Sequence, residues 1–193
     1  DSVASRGLGD VYKRQIGGGA GARAMGDGMD GVHVHVTNSS NLPIESLEIE
    51  YDLLVDEYAL VDDSAGVGRY RGGMGLARQI SAPHGEVVFT SRSDGHRMGA
   101  PGVASGGGGR VAKLIRNAGT PNVETLSPMT ANLVLGPGES VRLETPGGGG
   151  YGKPVERDAV ELGRDLRDGR ISAARAEKLY GSAQVATARR AIG

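Results

Sequence analysis

Hydrophobic and polar residues alternate strictly in Val32-His33-Val34-His35-Val36. On a strand, such alternation puts the two histidines on one face and the valines on the other. A polar turn follows, in which Pro43 disfavours helix at Leu42. Residues 46–61, SLEIEYDLLVDEYALV, alternate again and are rich in strand formers, which predicts one long or broken strand. Residues 69–83 read as strand, glycine bulge, strand. Short strands are predicted over 86–93 and 110–117. Two apolar runs around Gly136-Pro137-Gly138 within 132–145 read as a hairpin. Between them, residues 95–110 form a long loop, and loops of that length are usually functional or disordered.

The period changes past Pro154. Val160, Leu162 and Leu166 recur at helical spacing, with Gly169 as a stop. Ser172 is an N-cap candidate for a second helix whose apolar face is Ala173, Ala176, Leu179 and Tyr180, ended by Gly181. The remainder reads as a polar, fraying tail. The expected fold is mainly β (α+β): a glycine-rich β domain followed by a short C-terminal helical hairpin. The expected divisions are a non-native leader over 1–15, a β-rich portion over 16–152, and a helical appendage with its tail over 153–193. The leader shows no periodic pattern and no secretory core.

Composition sharpens this picture. Glycine accounts for 34 of 193 residues, against an average of about 7 per cent. The glycines have no three-residue period, which excludes collagen. Each glycine loses more backbone entropy on ordering than other residues do, and one Phe and no Trp leave little aromatic surface to offset it. Such a segment is expected to pack against something larger. With no cysteine, disulfides, thiolate metal sites and cysteine nucleophiles are excluded. A formal net charge of −1 gives no footprint for nucleic acid or anionic lipid. No apolar run is long enough for a membrane-spanning helix.

The densest chemistry is His33-x-His35-x-Thr37-Asn38, with Asn41 and Glu45 close behind. Two imidazoles at i and i+2 on a strand can converge on a metal, with Glu45 as a third ligand, or act as acid and base groups. A polar strand face with Thr37 and Asn38 bonding the turn backbone explains the same residues. A second cluster is Arg69, Arg71, Gly72 and Gly73, since arginines clamp anions and glycines bare their N–H groups. A solvated edge strand is the competing reading. The run Pro146–Gly152 can open backbone to a ligand or serve as a tether. Neither it nor residues 16–31 has phosphate-loop spacing, and no Gly-x-Ser-x-Gly elbow occurs. Asp94, His96 and Arg97 stand at the mouth of the long loop as candidate lid residues.

Four separated stretches resemble the hydantoinase B/5-oxoprolinase family, in the family's order. They are GGGAGARAMGDGMDGVHVHVTNSSNLPIESLEIEYDL, GVGRYRGGMGLAR, SRSDGHRMGAPGVASGGGGR and LGPGESVRLETPGGGGYGKP. The acetone carboxylase large subunit is a relative with similar motifs. The resemblance covers about residues 17 to 181 and looks like the family's C-terminal portion, because the earlier Asn-Asp-Pro and Gly-Gly-x-His motifs are missing. Val36 and Ser39–Ser40 also stand where the family tends to have Met and Thr–Arg.

The resemblance implies ATP-dependent opening of a small cyclic amide such as 5-oxoproline or a hydantoin, in the cytoplasm. It implies an ATP-binding partner subunit or domain of the hydantoinase A type, and a divalent metal, Mg or Mn, used with ATP. Catalytic roles fall on His33, His35 and Glu45, and substrate contacts on Thr37, Asn38, Asn41, Arg69, Arg71, Gly72 and Gly73. This chain alone is not expected to hold a complete active site. A non-catalytic module that docks the ATP-binding subunit, or part of an acetone-carboxylase-like enzyme, fits the same motifs.

Overall fold

The computed structural model describes residues 2–6, 10–14, 16–33 and 43–193. Its strands are β1 (Ser2–Arg6), β2 (Asp10–Arg14), β3 (Leu54–Leu60), β4 (Leu76–Ser81), β5 (Val87–Arg92), β6 (Lys113–Arg116), β7 (Glu124–Thr125), β8 (Met129–Leu135) and β9 (Ser140–Glu144). Helix α1 is Ile44–Glu50; α2 (Ala159–Arg167), α3 (Ala173–Tyr180) and α4 (Ser182–Ile192) follow the last strand, after a short 3₁₀ turn at Pro154–Glu156. The expected α+β class holds. Residues 2–6 and 10–14, set aside from the fold on sequence, are strands, and β1 pairs with β5.

The named strands among the described residues all pair antiparallel. One sheet runs β2-β1-β5-β8, the other β3-β4-β9-β6-β7. They share one core, to which β5 and β8 give Val87, Phe89 and Leu135, while β6 and β9 give Leu114, Val141 and Leu143. Inward and outward residues alternate along β5, as a half-buried strand requires.

Three expectations change here. Residues 46–61 are not one strand: α1 occupies the first part and β3 the last. Ile44, Leu47 and Tyr51 also recur at helical spacing, so the run satisfies both periods, and burial of Leu47 selects the helix. The expected hairpin over 132–145 is a corner, because β8 pairs with β5 while β9 pairs with β4 and β6. The chain changes sheets at Gly136–Glu139. The tail beyond Gly181 is a third helix, α4, that buries Val185 and Ala188 against α2 and α3. Its sparse small apolar residues are enough because Gly163 of α2 lies directly under Ala188: a Cβ there would sit 2.6 Å from the Ala188 carbonyl oxygen.

The glycine-rich segments form neither sheet nor loose loop. Gly147–Gly150 is fully buried and hydrogen-bonded to several chain segments at once. Gly147 N–H donates to Arg110 O, Gly148 N–H to Gly73 O and Gly150 N–H to Gly107 O, while Gly66 N–H, Ala22 N–H and Val103 N–H donate to the carbonyls of Gly148, Gly149 and Gly150. A strand has two neighbours, and this run has more. The Cβ of any larger residue would strike Ser64 O at position 147, Ala20 O at 148, Pro101 O at 149 and Val67 O at 150. Positions 147 and 150 face the same neighbouring segment, so the local period is three, and only glycine fits such an axis, as in other three-fold backbone packings. The reading of Pro146–Gly152 as an open site or tether is thereby corrected, as is the strand reading of 69–75, which joins this bundle.

No helix among the described residues is long and apolar enough to cross a membrane.

Candidate functional site

His33 lies at the end of a clamped segment. Val32 exchanges backbone hydrogen bonds with Gly18, at 2.8 and 3.2 Å, and His33 follows, half-buried. Gly17 O accepts from Thr145 Oγ1 at 2.8 Å, which ties this edge to the end of β9. Upstream, Asp27 and Asp30 fix residues 26–31 through a buried ion network. Arg71 grips Asp30 with two N–H groups, at 2.7 and 3.1 Å, and reaches Asp165 of α2 at 3.2 Å. Arg157 holds Asp27 at 2.9 and 3.0 Å and Asp165 at 2.6 and 2.9 Å. Its fifth N–H donates to Arg69 O at 3.2 Å, so the guanidinium is fully used. Arg170 adds a contact to Asp30 at 3.2 Å.

The electrostatics of the network follow from burial. Burial works to raise the Asp27 carboxyl, and hydrogen bonds and charge from Arg157, then Arg71, outweigh it, so its pKa lies below the usual range. Burial works to lower the Arg157 pKa, but Asp27 and Asp165 overcome that and hold it above the ordinary arginine value. Asp165 is more deeply enclosed, and burial keeps its carboxyl above the usual value even against Arg157 and Arg71. Paired guanidinium and carboxylate planes of this kind give orientation as well as energy.

This geometry sorts the expected site residues. His35, Thr37, Asn38 and Asn41 lie outside the described residues. Glu45 is exposed in the first turn of α1. Arg71, expected on substrate, has its guanidinium committed to Asp30, Asp165 and Gly72 O. Gly72 and Gly73 pack backbone to backbone inside the glycine bundle, Gly73 N–H donating to Ala20 O. Arg69 is exposed, with its guanidinium 5.4 Å from the Tyr70 ring centre. It borders a cavity of about 520 Å³ whose other walls include Asp27, Glu156, Asp158 and Glu161, a rim too acidic to favour an anion. Among the described residues, no three His, Asp or Glu side chains converge to hold a metal ion.

Sequence reasoning passed over Asp27, Asp30, Arg157 and Asp165. Asp165 carried a signal: it lies three residues after fully buried Leu162, on the helix face that should be apolar. A charge on a buried stripe calls for a partner.

A second histidine borders the same ground. A Cβ at Gly95 would meet the Pro146 ring at 3.1 Å, and one at Gly18 would meet it at 3.9 Å. The segments leading to His96 and to His33 therefore pack on one proline.

Comparison with known proteins agrees with the motifs. The model of the family described as Hydantoinase B/oxoprolinase matches residues 3–154. The putative B component of a D-/L-hydantoinase from Pseudomonas sp. (strain NS671) is 36% identical over 172 residues, 89% of this chain and 29% of that protein. Among solved structures, the ATP-dependent caprolactamase from Pseudomonas jessenii superposes with a TM-score of 0.73 at 24% identity, over 97% of this chain and 36% of the other. A nucleotide-free acetone carboxylase gives 0.68 at 18% identity, over 91% and 29%. These two show a shared fold. The chain thus spans under a third of the length of the hydantoinase component it matches.

Proposed function

The chain belongs to the hydantoinase B/oxoprolinase family, and from that premise we propose that it is the C-terminal portion of an ATP-dependent hydrolase that opens small cyclic amides. The substrates are 5-oxoproline or hydantoin rings, opened together with an ATP-binding partner subunit of the hydantoinase A type. The observation that carries the reading is the clamped segment: Arg71 and Arg157 fix Asp30 and Asp27, and the chain they fix leads into His33.

Chemically, the amide oxygen takes the γ-phosphoryl group of ATP on the partner. Water then adds at the carbonyl carbon, the ring C–N bond breaks as the nitrogen takes a proton, and a second water hydrolyses the acyl phosphate so formed to the carboxylate and inorganic phosphate. His33, His35 and Glu45 serve the proton transfers, and Thr37, Asn38 and Asn41 orient the amide. Fixed donors of this kind act where negative charge develops on oxygen. Arg71 is a positioning residue in this scheme. The divalent ion, Mg or Mn, accompanies ATP, and no described residue is assigned to hold either.

The test is turnover by the complete enzyme assembled with its partner. ADP and ring-opened product should appear together from 5-oxoproline or hydantoin. His33→Ala and His35→Ala should each lower kcat at least roughly a hundredfold, the scale of a general acid or base, while assembly persists. ATP-dependent consumption only with bicarbonate and a ketone would replace this reading with the acetone carboxylase type.

One observation favours a second reading, a docking module. The outward face of edge strand β3 leaves Leu54, Tyr58 and Leu60 exposed. Unchanged turnover in both histidine variants, with loss of assembly in Tyr58→Asp, would establish it instead.

A further inference from the structure

The segment from Gly26 to Gly31 is held on two edges. On one, Gly28 N–H donates to Arg71 O at 2.8 Å and Gly31 N–H to Met74 O at 3.0 Å. Bonds at every third residue mark a backbone with three residues per turn. On such a backbone residues three apart share an edge, so Asp27 and Asp30 stand together. Arg71 meets both: its backbone N–H donates to Asp27 Oδ1 at 2.9 Å, and its guanidinium takes Asp30. Met29, between them, is 58% exposed, so solvent rather than protein covers the remaining edge.

Arg71 belongs to the glycine bundle itself and moves with the backbone it ties. Arg157 and Asp165 do not. They come from the helical unit, past residue 154, where the family match ends. Asp165 joins the two arginines: Oδ1 accepts from Arg71 Nε at 3.2 Å, and Oδ2 accepts from Arg157 at 2.6 and 2.9 Å. One buried carboxylate thus fixes both guanidiniums, and each of these grips one aspartate of the 26–31 segment. The helical unit has an apolar core of its own, around Leu162, Ala176 and Val185, to keep Asp165 in place. Apolar packing in place of a buried ion network is often neutral or stabilising. What this network adds is orientation.

We propose that helices α2–α4 serve the reaction by holding the segment that leads to His33, with Arg157 and Asp165 as positioning residues. The inference rests on the ring-opening reading above. It adds a role for the helical unit that needs no contact with the substrate. A displacement of about 1 Å at a reacting group costs up to about a hundredfold in rate.

The test is steady-state turnover of 5-oxoproline by the complete enzyme with its partner, together with amide hydrogen exchange over residues 16–33. Arg157→Lys keeps the charge but loses the planar fork that spans two carboxylates. It should lower kcat at least roughly tenfold and leave KM within about twofold. Residues 16–33 should exchange faster, while β5 exchanges as in wild type. Asp27 is the partly solvated member of the network, with 29% of its side chain exposed, so Asp27→Asn is the milder change and should act in the same direction on both readouts. Val185→Ala is the control, because it opens the core of the helical unit without touching the network. It should lower the melting temperature and leave kcat within about twofold. An equal loss of kcat in Val185→Ala overturns the inference, since lost stability alone would explain it. Wild-type kcat in both network variants, or an effect confined to KM, overturns it as well. A wild-type enzyme that opens no cyclic amide ends the hydrolase reading instead. Exchange over 16–33 still judges the helical unit in that case: faster exchange in both variants keeps its hold on the segment, and unchanged exchange removes it.

Discussion

Arg157 Nη2 lies 2.6 Å from Asp165 Oδ2, both side chains more than nine-tenths buried, and the same guanidinium clasps Asp27 from the glycine-rich portion. The pair therefore joins helix α2 to the segment that leads to His33. Removing one partner leaves the other charge buried and uncompensated, which costs about 3–5 kcal/mol. Asp165→Asn should lower the unfolding free energy in urea by that amount, and Arg157→Met with Asp165→Leu together should recover part of it. A single variant as stable as wild type would show that the network carries no such load.

Gly148 tests the bundle. Alanine there would drive a Cβ into the Ala20 carbonyl, backbone against backbone, with no flexible side chain to give way. Overpacking costs of about 1–3 kcal/mol are a lower bound for such a collision. Gly26 is the control, because a Cβ at that position would have nothing within 4 Å. Gly26→Ala should be neutral or stabilising by up to about 1 kcal/mol through the unfolded chain. Thermal unfolding of the two variants checks the contrast.

The corner between the sheets predicts an acid dependence. The Arg116 guanidinium, Gly136 N–H and Asn117 hold Glu139 at about 2, below the ordinary 4.5. A lowered folded pKa stabilises the protein above the unfolded value, and that contribution is lost as pH falls from about 4.5 through about 2. Glu139 is partly solvated, so screening leaves about 1 kcal/mol. Glu139→Gln should flatten this part of the stability–pH curve, as followed by denaturant midpoints from about pH 6 to about pH 3. An unchanged curve would count against the corner.

Gly163 sets the α2–α4 distance. Alanine at 163 would press 2.6 Å from Ala188 O and 2.7 Å from the Ile192 Cγ2 methyl. Helix separation would then expose part of the Leu162 and Val185 core. The expected loss is about 1–3 kcal/mol, read as earlier melting of the far-ultraviolet helix signal.

Residue patterns alone determined a good deal here. Short runs of strand formers and apolar residues bounded by turn residues located β4, β5, β6, β8 and β9, because that signal is local and holds whatever the strand pairs with. Ser172 and Gly181 marked α3 because caps act within one turn, and indeed Ser172 Oγ accepts from Arg175 N–H at 3.3 Å. The four ordered motifs pointed to the family. Only the tertiary structure decided partners. Whether Gly136-Pro137-Gly138 closes a hairpin or a corner depends on which distant strands flank β8 and β9. Whether Arg71 meets a ligand or Asp30 and Asp165 depends on residues 41 and 94 positions away. Glycine, with no side chain, carries no pattern of its own, so the bundle around Gly147–Gly150 became visible only when the neighbouring carbonyls were in place.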